Sequence, residues 1–241
     1  MVSLFTYPQN SANTPVMQYF PVCVSLEGKK CLIVGAGDVG RRKVHNLLEY
    51  GTREILLLDS ETTEVSEEEF AIYGQVRIEQ RAFCEQDLED KFLVFACTGE
   101  RGTNEQIGEM CNHKGILCNI ATNPEKSGFI QPAMLKQGDL CITVSSNGKS
   151  PALVKKIKNG LKREIGPEYA TFTELLGRLR NRILDLGENS NYNKEIFDSL
   201  TDNDILEVIK ARDRKRLWQL LQERTPRSMH SNLKEIIDDL L

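Results

Sequence analysis

Residues 30–40 read KCLIVGAGDVG, and this stretch decides the fold. A short run of strand-forming residues, Cys31 to Val34, enters a glycine turn, Gly35-Ala36-Gly37-Asp38-Val39-Gly40, and the helical pattern Val39 to Tyr50 leaves it. In the first βα turn of a dinucleotide-binding fold, the first glycine permits the tight turn. The second lets the backbone approach a pyrophosphate, and the third packs helix against strand. The phosphates then rest on the helix N-terminus, where amide N–H groups are unpaired. Asp59 closes the next apolar run, nineteen residues beyond Gly40. A carboxylate there can accept hydrogen bonds from both ribose hydroxyls, and Ser60 rather than an arginine follows it, which favours NAD over NADP. Gly35, Gly37, Asp38, Val39, Gly40 and Asp59 are therefore the candidate cofactor-binding residues. The competing reading is a glycine turn that binds nothing, and the strand before, helix after and acid beyond weigh against it.

Outward from this turn, apolar runs at Glu54 to Leu58, Val76 to Gln80, Phe92 to Ala96 and Ile116 to Asn119 alternate with helical stretches. Those stretches are an acidic one near Glu64 to Tyr73, a short one at Glu85 to Asp90, and Thr103 to His113. Strand runs without polar alternation imply burial on both faces of a parallel sheet, so the pattern predicts a doubly wound, Rossmann-like α/β domain over residues 1–118. After Asn119 the character changes. Phe129 to Gln131 reads as a short extended piece and Leu140 to Ser145 as a strand, and a helix begins with Ser150 as N-cap and Pro151 in its first position. Residues 119–166 form the expected small α+β segment. From Pro167 strand signals vanish. Arg178 to Leu186, Asn193 to Leu200, Asn203 to Lys210, Asp213 to Glu223 and Asn232 to Leu240 predict an all-helical module over 167–241. Residues 1–15 read as a loose arm.

Composition narrows the function. With 31 basic and 35 acidic residues the net charge is −4, so no global positive field exists to hold a nucleic-acid backbone. No apolar run approaches the roughly 18–20 residues that span a bilayer, and Met1 to Gln18 lacks the basic-then-apolar pattern of a secretory signal, so a cytoplasmic protein is expected. The seven cysteines are odd in number, dispersed and without a CxxC pair; they read mostly as buried small hydrophobes. Three histidines without metal-ligand spacing imply no metal site. Nucleophile elbows, P-loops and HExxH are all missing, which suits a cofactor enzyme in which the nicotinamide carries the chemistry.

A second cluster is basic: Lys149, Lys155, Lys156, Lys158, Lys162 and Arg163, with no acid from Lys149 to Arg163. A solvated helix face is the plain alternative. Against it, backbone N–H groups at the helix start, Lys149 and the hydroxyls of Ser145, Ser146 and Ser150 converge on a place suited to a polycarboxylate or phosphate.

Four blocks in order, PVCVSLEGKKCLIVGAGDVGRRKVHNLL (Pro21 to Leu48), FACTGERGTNEQI (Phe95 to Ile107), CNIATNPEKSGFIQPA (Cys118 to Ala133) and LCITVSSNGKSPALVKKIK (Leu140 to Lys158), resemble the precorrin-2 dehydrogenase family, the NAD-binding part of siroheme synthase. The helical tail matches more loosely, and the resemblance is read as one to the dehydrogenase part alone, with no methyltransferase half expected after Leu241. The resemblance implies oxidation of precorrin-2, a polycarboxylate tetrapyrrole, to sirohydrochlorin with NAD as hydride acceptor. It also implies a homodimer interlocked through Asn119 to Arg163, with neither nucleic acid nor membrane as partner. It adds Thr98 and Asn104 to the cofactor site, places Asn119, Ser145, Ser146, Lys149 and Ser150 against the substrate, and puts Thr122, Asn119 and Ser146 at the catalytic position. The chain departs from the family where an Asn-x-x-Asp pattern reads Asn119-Ile120-Ala121-Thr122, and where Ala-Thr-Asp reads Cys97-Thr98-Gly99. Thr122 cannot act as a carboxylate base. Metal insertion into the tetrapyrrole is therefore not expected, because it requires removal of two pyrrole protons; dehydrogenation can release its proton to solvent. A dehydrogenase that also inserts iron, and a catalytically idle NAD- and tetrapyrrole-binding regulator, are the alternatives.

Overall fold

The computed structural model describes residues 19–61 and 64–240, and the expected N-terminal arm lies outside them. Two compact units divide the chain, one up to Gln131 and one from Pro132. In the first, β1 (Lys30–Val34), β2 (Glu54–Asp59), β3 (Val76–Gln80), β4 (Lys91–Ala96) and β5 (Leu117–Ile120) form one sheet in the order β3-β2-β1-β4-β5. Every pairing in it is parallel. The helices α1 (Asp38–Leu48), α2 (Glu64–Phe70) and α3 (Arg101–His113) complete the Rossmann-like arrangement.

Successive strand residues point to opposite faces, and each face has its own core. Cys31, Ile33, Ile55 and Leu57 pack with Val44 and Leu47 of α1 and Phe70 of α2. Leu32, Val34, Leu56, Leu58 and Val94 pack with Ile107 and Cys111 of α3. The expectation that all five strands are buried on both faces fails at the sheet edges. Val76 and Ile78 of β3 are only half-buried and Leu117 of β5 is exposed, because an edge strand has a neighbour on one side only. The cysteine expectation is also corrected: Cys31, Cys111 and Cys118 are buried, but Cys23, Cys84 and Cys141 are exposed.

The turn after β3 is fixed by an ion pair in which Arg81 meets both carboxylate oxygens of Asp87, at 2.8 and 2.6 Å. Asp87 also accepts the Cys84 N–H at 2.8 Å. The guanidinium holds the Asp87 carboxyl down at about 2. A depressed folded-state pKa stabilises the fold above the ordinary carboxylate range and loses that contribution as pH falls towards the folded value. Asp87→Asn is therefore expected to cost about 1–2 kcal/mol at neutral pH. In urea melts its deficit against the parent should shrink between pH 4 and 2; a deficit constant over that window would remove the pair from the account.

In the second unit, β6 (Ala133–Gln137) and β7 (Leu140–Val144) form an antiparallel hairpin turned at Gly138, whose φ is +57°. Sequence reasoning placed its extended piece at Phe129 to Gln131, short of β6, and passed over the Gly138-Asp139 hairpin turn. Six helices follow: α4 (Pro151–Glu164), α5 (Glu168–Asp185), α6 (Ser190–Leu200), α7 (Asn203–Lys210), α8 (Arg214–Arg224) and α9 (His230–Asp238). Ser150 caps α4 by accepting the Leu153 N–H, with Pro151 first in the helix, as the sequence indicates. α5 starts ten residues before the expected Arg178. Phe172, Leu175, Leu179 and Ile183 keep one helical stripe from its first turns into the core they share with Leu200, Ile205, Leu217 and Leu233. Among the described residues, no helix is long and apolar enough to cross a membrane.

Candidate cofactor and substrate site

The strand order reverses between β1 and β4, the place where open α/β sheets bind ligands beyond the strand C-termini. Gly35, with φ +109°, leads out of β1 and donates its N–H to Leu58 at 2.7 Å. A Cβ at this position would lie 2.5 Å from the Cys97 carbonyl oxygen, so only glycine lets the β1 and β4 exits touch. At Gly40 a Cβ would fall 1.8 Å from the Gly35 carbonyl oxygen, which closes the helix onto the turn. Gly37 differs from both. It is the N-cap of α1, has no side chain to cap the helix, and a Cβ there would meet nothing within 4 Å. Open space in front of an uncapped helix start is what a pyrophosphate needs.

Asp59 holds this turn from β2. Its two carboxylate oxygens accept the Ala36 N–H at 2.6 Å and the Glu61 N–H at 3.0 Å. Each oxygen keeps a second lone pair that a ribose hydroxyl could use. The Asp38 side chain points to solvent and pairs with Arg41, so what Asp38 offers a ligand is its backbone amide. Val39 is 38% exposed at the same helix start.

Beyond β4 and β5, a fully buried amide ties two loops together. Asn104 Oδ1 accepts the Thr98 N–H at 3.0 Å and its hydroxyl at 2.8 Å, while Nδ2 donates to the Thr98 carbonyl at 2.8 Å and to Thr122 Oγ1 at 3.3 Å. Asn104 is 0% exposed, which makes it a positioning residue for Thr98 and Thr122 rather than a surface that touches a cofactor. Asn119 on β5 is half-buried and donates to the Phe129 carbonyl at 3.0 Å. Thr122 is exposed two residues past the strand.

Two groups here escaped the sequence reading. Glu105 is the carboxylate tied to the Thr122 loop: it accepts from Arg101 and Asn123 at 2.9 Å and from Lys126 at 2.7 Å. The Lys126 ammonium, with Arg101 and Asn123, pulls its carboxyl down to about 2, a poor proton acceptor near neutral pH. Lys43 is the second. Its ammonium lies 5.1 Å from the centre of the Phe95 ring and donates to Gln131 Oε1 at 2.7 Å, and Phe129 packs edge-on against Phe95. Burial lowers its pKa, and among the described residues no carboxylate pairs with it. A half-buried cation with only a neutral partner favours an anionic ligand. The signal was present in the Arg41-Arg42-Lys43 run, but only the fold brings the Lys43 ammonium over Phe95 of β4. Burial pushes the thiol of Cys97 beside it up to about 11, which disfavours the thiolate that a nucleophile needs.

The other candidates belong to the second unit. Ser145 Oγ accepts the Asn147 N–H at 3.1 Å, Ser146 Oγ accepts the Ser150 N–H at 2.9 Å, and Ser150 Oγ accepts the Leu153 N–H at 3.3 Å. Amides expected to be free at this helix start are thus occupied. The three hydroxyl protons remain as donors, and Lys149 is exposed beside them in a turn where Asn147 and Gly148 have positive φ.

A family model described as putative NAD(P)-binding matches residues 22–133, and a sirohaem biosynthesis protein central model matches 137–164. Siroheme synthase 2 of Yersinia pseudotuberculosis is 28% identical over 218 residues, covering 90% of this chain and 41% of the relative. Siroheme synthase of Nitrosococcus oceani is 32% identical over 167 residues, covering 69% of this chain and 35% of the relative. Both family models and these relatives make the chain similar to siroheme synthases.

It spans about two fifths of the length of the siroheme synthases that it matches. A solved structure titled SirC, precorrin-2 dehydrogenase, shares the fold, with a TM-score of 0.69 and 24% identity over 85% of this chain and all of that one. The NAD(P)-binding match contains Gly35 to Gly40, Asp59, Thr98, Asn104, Asn119 and Thr122, and the central match contains Ser145 to Lys149 and the start of α4. A nicotinamide dinucleotide is the cofactor class that the first match indicates.

Proposed function

We propose that this chain oxidises precorrin-2 to sirohydrochlorin, uses NAD rather than NADP, and does not insert metal. The observation that carries the proposal is the open, uncapped α1 start at Gly37, held by Asp59 at the β1/β4 switch point. A bound nicotinamide supplies the acceptor for a hydride from the macrocycle, and one proton leaves to solvent, so precorrin-2 and NAD⁺ give sirohydrochlorin, NADH and H⁺. The amides of Asp38, Val39 and Gly40 orient the pyrophosphate, and the Asp59 carboxylate accepts from the ribose while repelling a 2′-phosphate. Thr98, fixed by Asn104, borders the nicotinamide end. In the first unit Asn119 hydrogen-bonds the substrate, Thr122 takes part without acting as base, and Lys43 is a further anion-binding residue; in the second, Ser146 supplies a hydrogen bond and Ser145, Lys149 and Ser150 take carboxylates.

The functional division proposed is a cofactor domain over 1–118, a dimerisation and substrate segment over 119–166, and a helical module over 167–241. Support for a homodimer comes from α4. None of its residues is buried, and Leu153 and Ile157 are 50% and 42% exposed on one stripe that a second copy would cover. Sedimentation as a single 27.3 kDa species would remove that element.

Precorrin-2 and NAD⁺ supplied to the protein should give sirohydrochlorin and NADH in equal amounts. Adding ferrous ion afterwards should not accelerate metal insertion above the protein-free rate. Accelerated insertion would establish a bifunctional enzyme, and NAD binding without NADH formation would establish an idle one. Lys149→Glu is expected to weaken tetrapyrrole binding about tenfold or more, with NAD affinity unchanged, since it reverses a charge outside the nucleotide turn. Equal loss of both ligands would show that Lys149 serves the fold.

A further inference from the structure

The helical module contains a cleft of about 390 Å³ between α8 and α9, lined by Arg214, Lys215, Trp218, Lys234, Ile237 and Asp238. Its volume falls among small-molecule sites, roughly 300–1,000 Å³. The floor is apolar. Ile237 is 3% exposed, and half-buried Trp218 packs on the helical core while presenting part of its indole to the cleft. The rim is positive. Arg214 is paired with Asp238 at 3.7 Å, whereas Lys215 and Lys234 have no ion-pair partner among the described residues.

We infer that this cleft binds a small planar aromatic acid, with the ring on Trp218 and its carboxylates between Lys215 and Lys234. Each half of the cleft rewards one feature of the ligand. A neutral ring would cover the indole but gain nothing from the two ammonium groups, while a compact anion would meet the lysines but gain nothing from the indole. Ring and charge in one rigid molecule satisfy both, and a flat acid loses little conformational entropy on docking. None of these residues belongs to the nucleotide turn or to the basic start of α4, so the inference stands apart from the dehydrogenase reading.

Trp218 is the only tryptophan in the chain, so its single indole N–H resonance reports on this cleft alone. Titration of the full-length protein with isophthalate should move that resonance along a saturating curve with Kd below about 1 mM. Benzamide, which has the ring without the charge, and succinate, which has the charges without the ring, should each bind at least about tenfold more weakly. Lys215→Glu combined with Lys234→Glu should weaken isophthalate at least tenfold with the thermal midpoint kept, because both side chains are exposed. A shift that stays linear in isophthalate, or equal binding of benzamide or succinate, overturns the inference without any variant. An unchanged affinity in a folded double variant overturns it as well.

Discussion

Gly37→Asp is expected to abolish nicotinamide dinucleotide binding while leaving the protein as stable as before, or slightly more so. The two effects have opposite signs for one reason. Gly37 sits at the N-cap of α1 with φ −67° and ψ −178°, an extended conformation open to any residue, and a Cβ there meets nothing within 4 Å. Aspartate is a strongly preferred N-cap, since its carboxylate accepts the N–H of the second or third helical residue; relative to glycine the gain is a few tenths of a kcal/mol. Those N–H groups are the ones a pyrophosphate would use. The new side chain therefore satisfies the helix by occupying the cradle, and its charge repels the phosphates. Calorimetric titration should show NAD affinity reduced at least about 100-fold, equivalent to about 2.7 kcal/mol, with a thermal midpoint within about 2 °C of the parent. Undiminished affinity in the folded variant would mean that the phosphates bind elsewhere. Gly40→Ala offers the contrast, because its Cβ would collide with the Gly35 carbonyl oxygen and the cost falls on the fold itself.

The contrast between these glycines explains what the sequence could disclose. Gly35, Gly37 and Gly40 were legible because their roles follow from local backbone geometry: a turn of fixed length must leave β1 and enter α1, and three positions tolerate no Cβ or must leave room for a ligand. Ser150 and Pro151 were legible for the same local reason. Lys43 was not. Three basic residues in a row give no reason to prefer the third until Phe95 and Gln131, far away in sequence, are brought to its side. Glu105 is a similar case, since Lys126 and Asn123 reach it across the β5 loop and turn a possible base into a structural anchor. β6 was misplaced because Lys136 and Gln137 dilute its apolar character, and its identity rests on pairing with β7. Asp59 lies between these extremes. Its position at the end of β2 was readable, but its hydrogen bond to Ala36 appears only when the turn folds back over the strand end.

Asn104→Asp tests whether the two loops beyond β4 and β5 are held by hydrogen-bond polarity rather than by shape. The substitution keeps the side chain's size and replaces the amide nitrogen by an oxygen. That atom now faces the Thr98 carbonyl, which it donated to at 2.8 Å, and the Thr122 hydroxyl oxygen at 3.3 Å. Thr122 can rotate its proton towards the new oxygen, but the carbonyl cannot, so one repulsive contact remains. At 0% exposure the carboxylate also loses its hydration, with no cation hydrogen-bonded to Asn104 in the parent to compensate. Breaking a buried polar network in this way is expected to cost about 3–5 kcal/mol at pH 7, or roughly 6–20 °C in the thermal midpoint. Burial raises the pKa of the new carboxyl in the folded state. The penalty is then complete above that raised value and declines as pH falls towards the ordinary carboxylate range, where folded and unfolded chains both carry the neutral acid. Asn104→Leu removes the same bonds without adding a charge, so its deficit should not vary with pH. Thermal melts of both variants from pH 8 to 5 separate the cases. A deficit for Asn104→Asp that is small, or flat across that range, would mean that packing alone keeps Thr98 and Thr122 in place, and the positioning role given to Asn104 would fall.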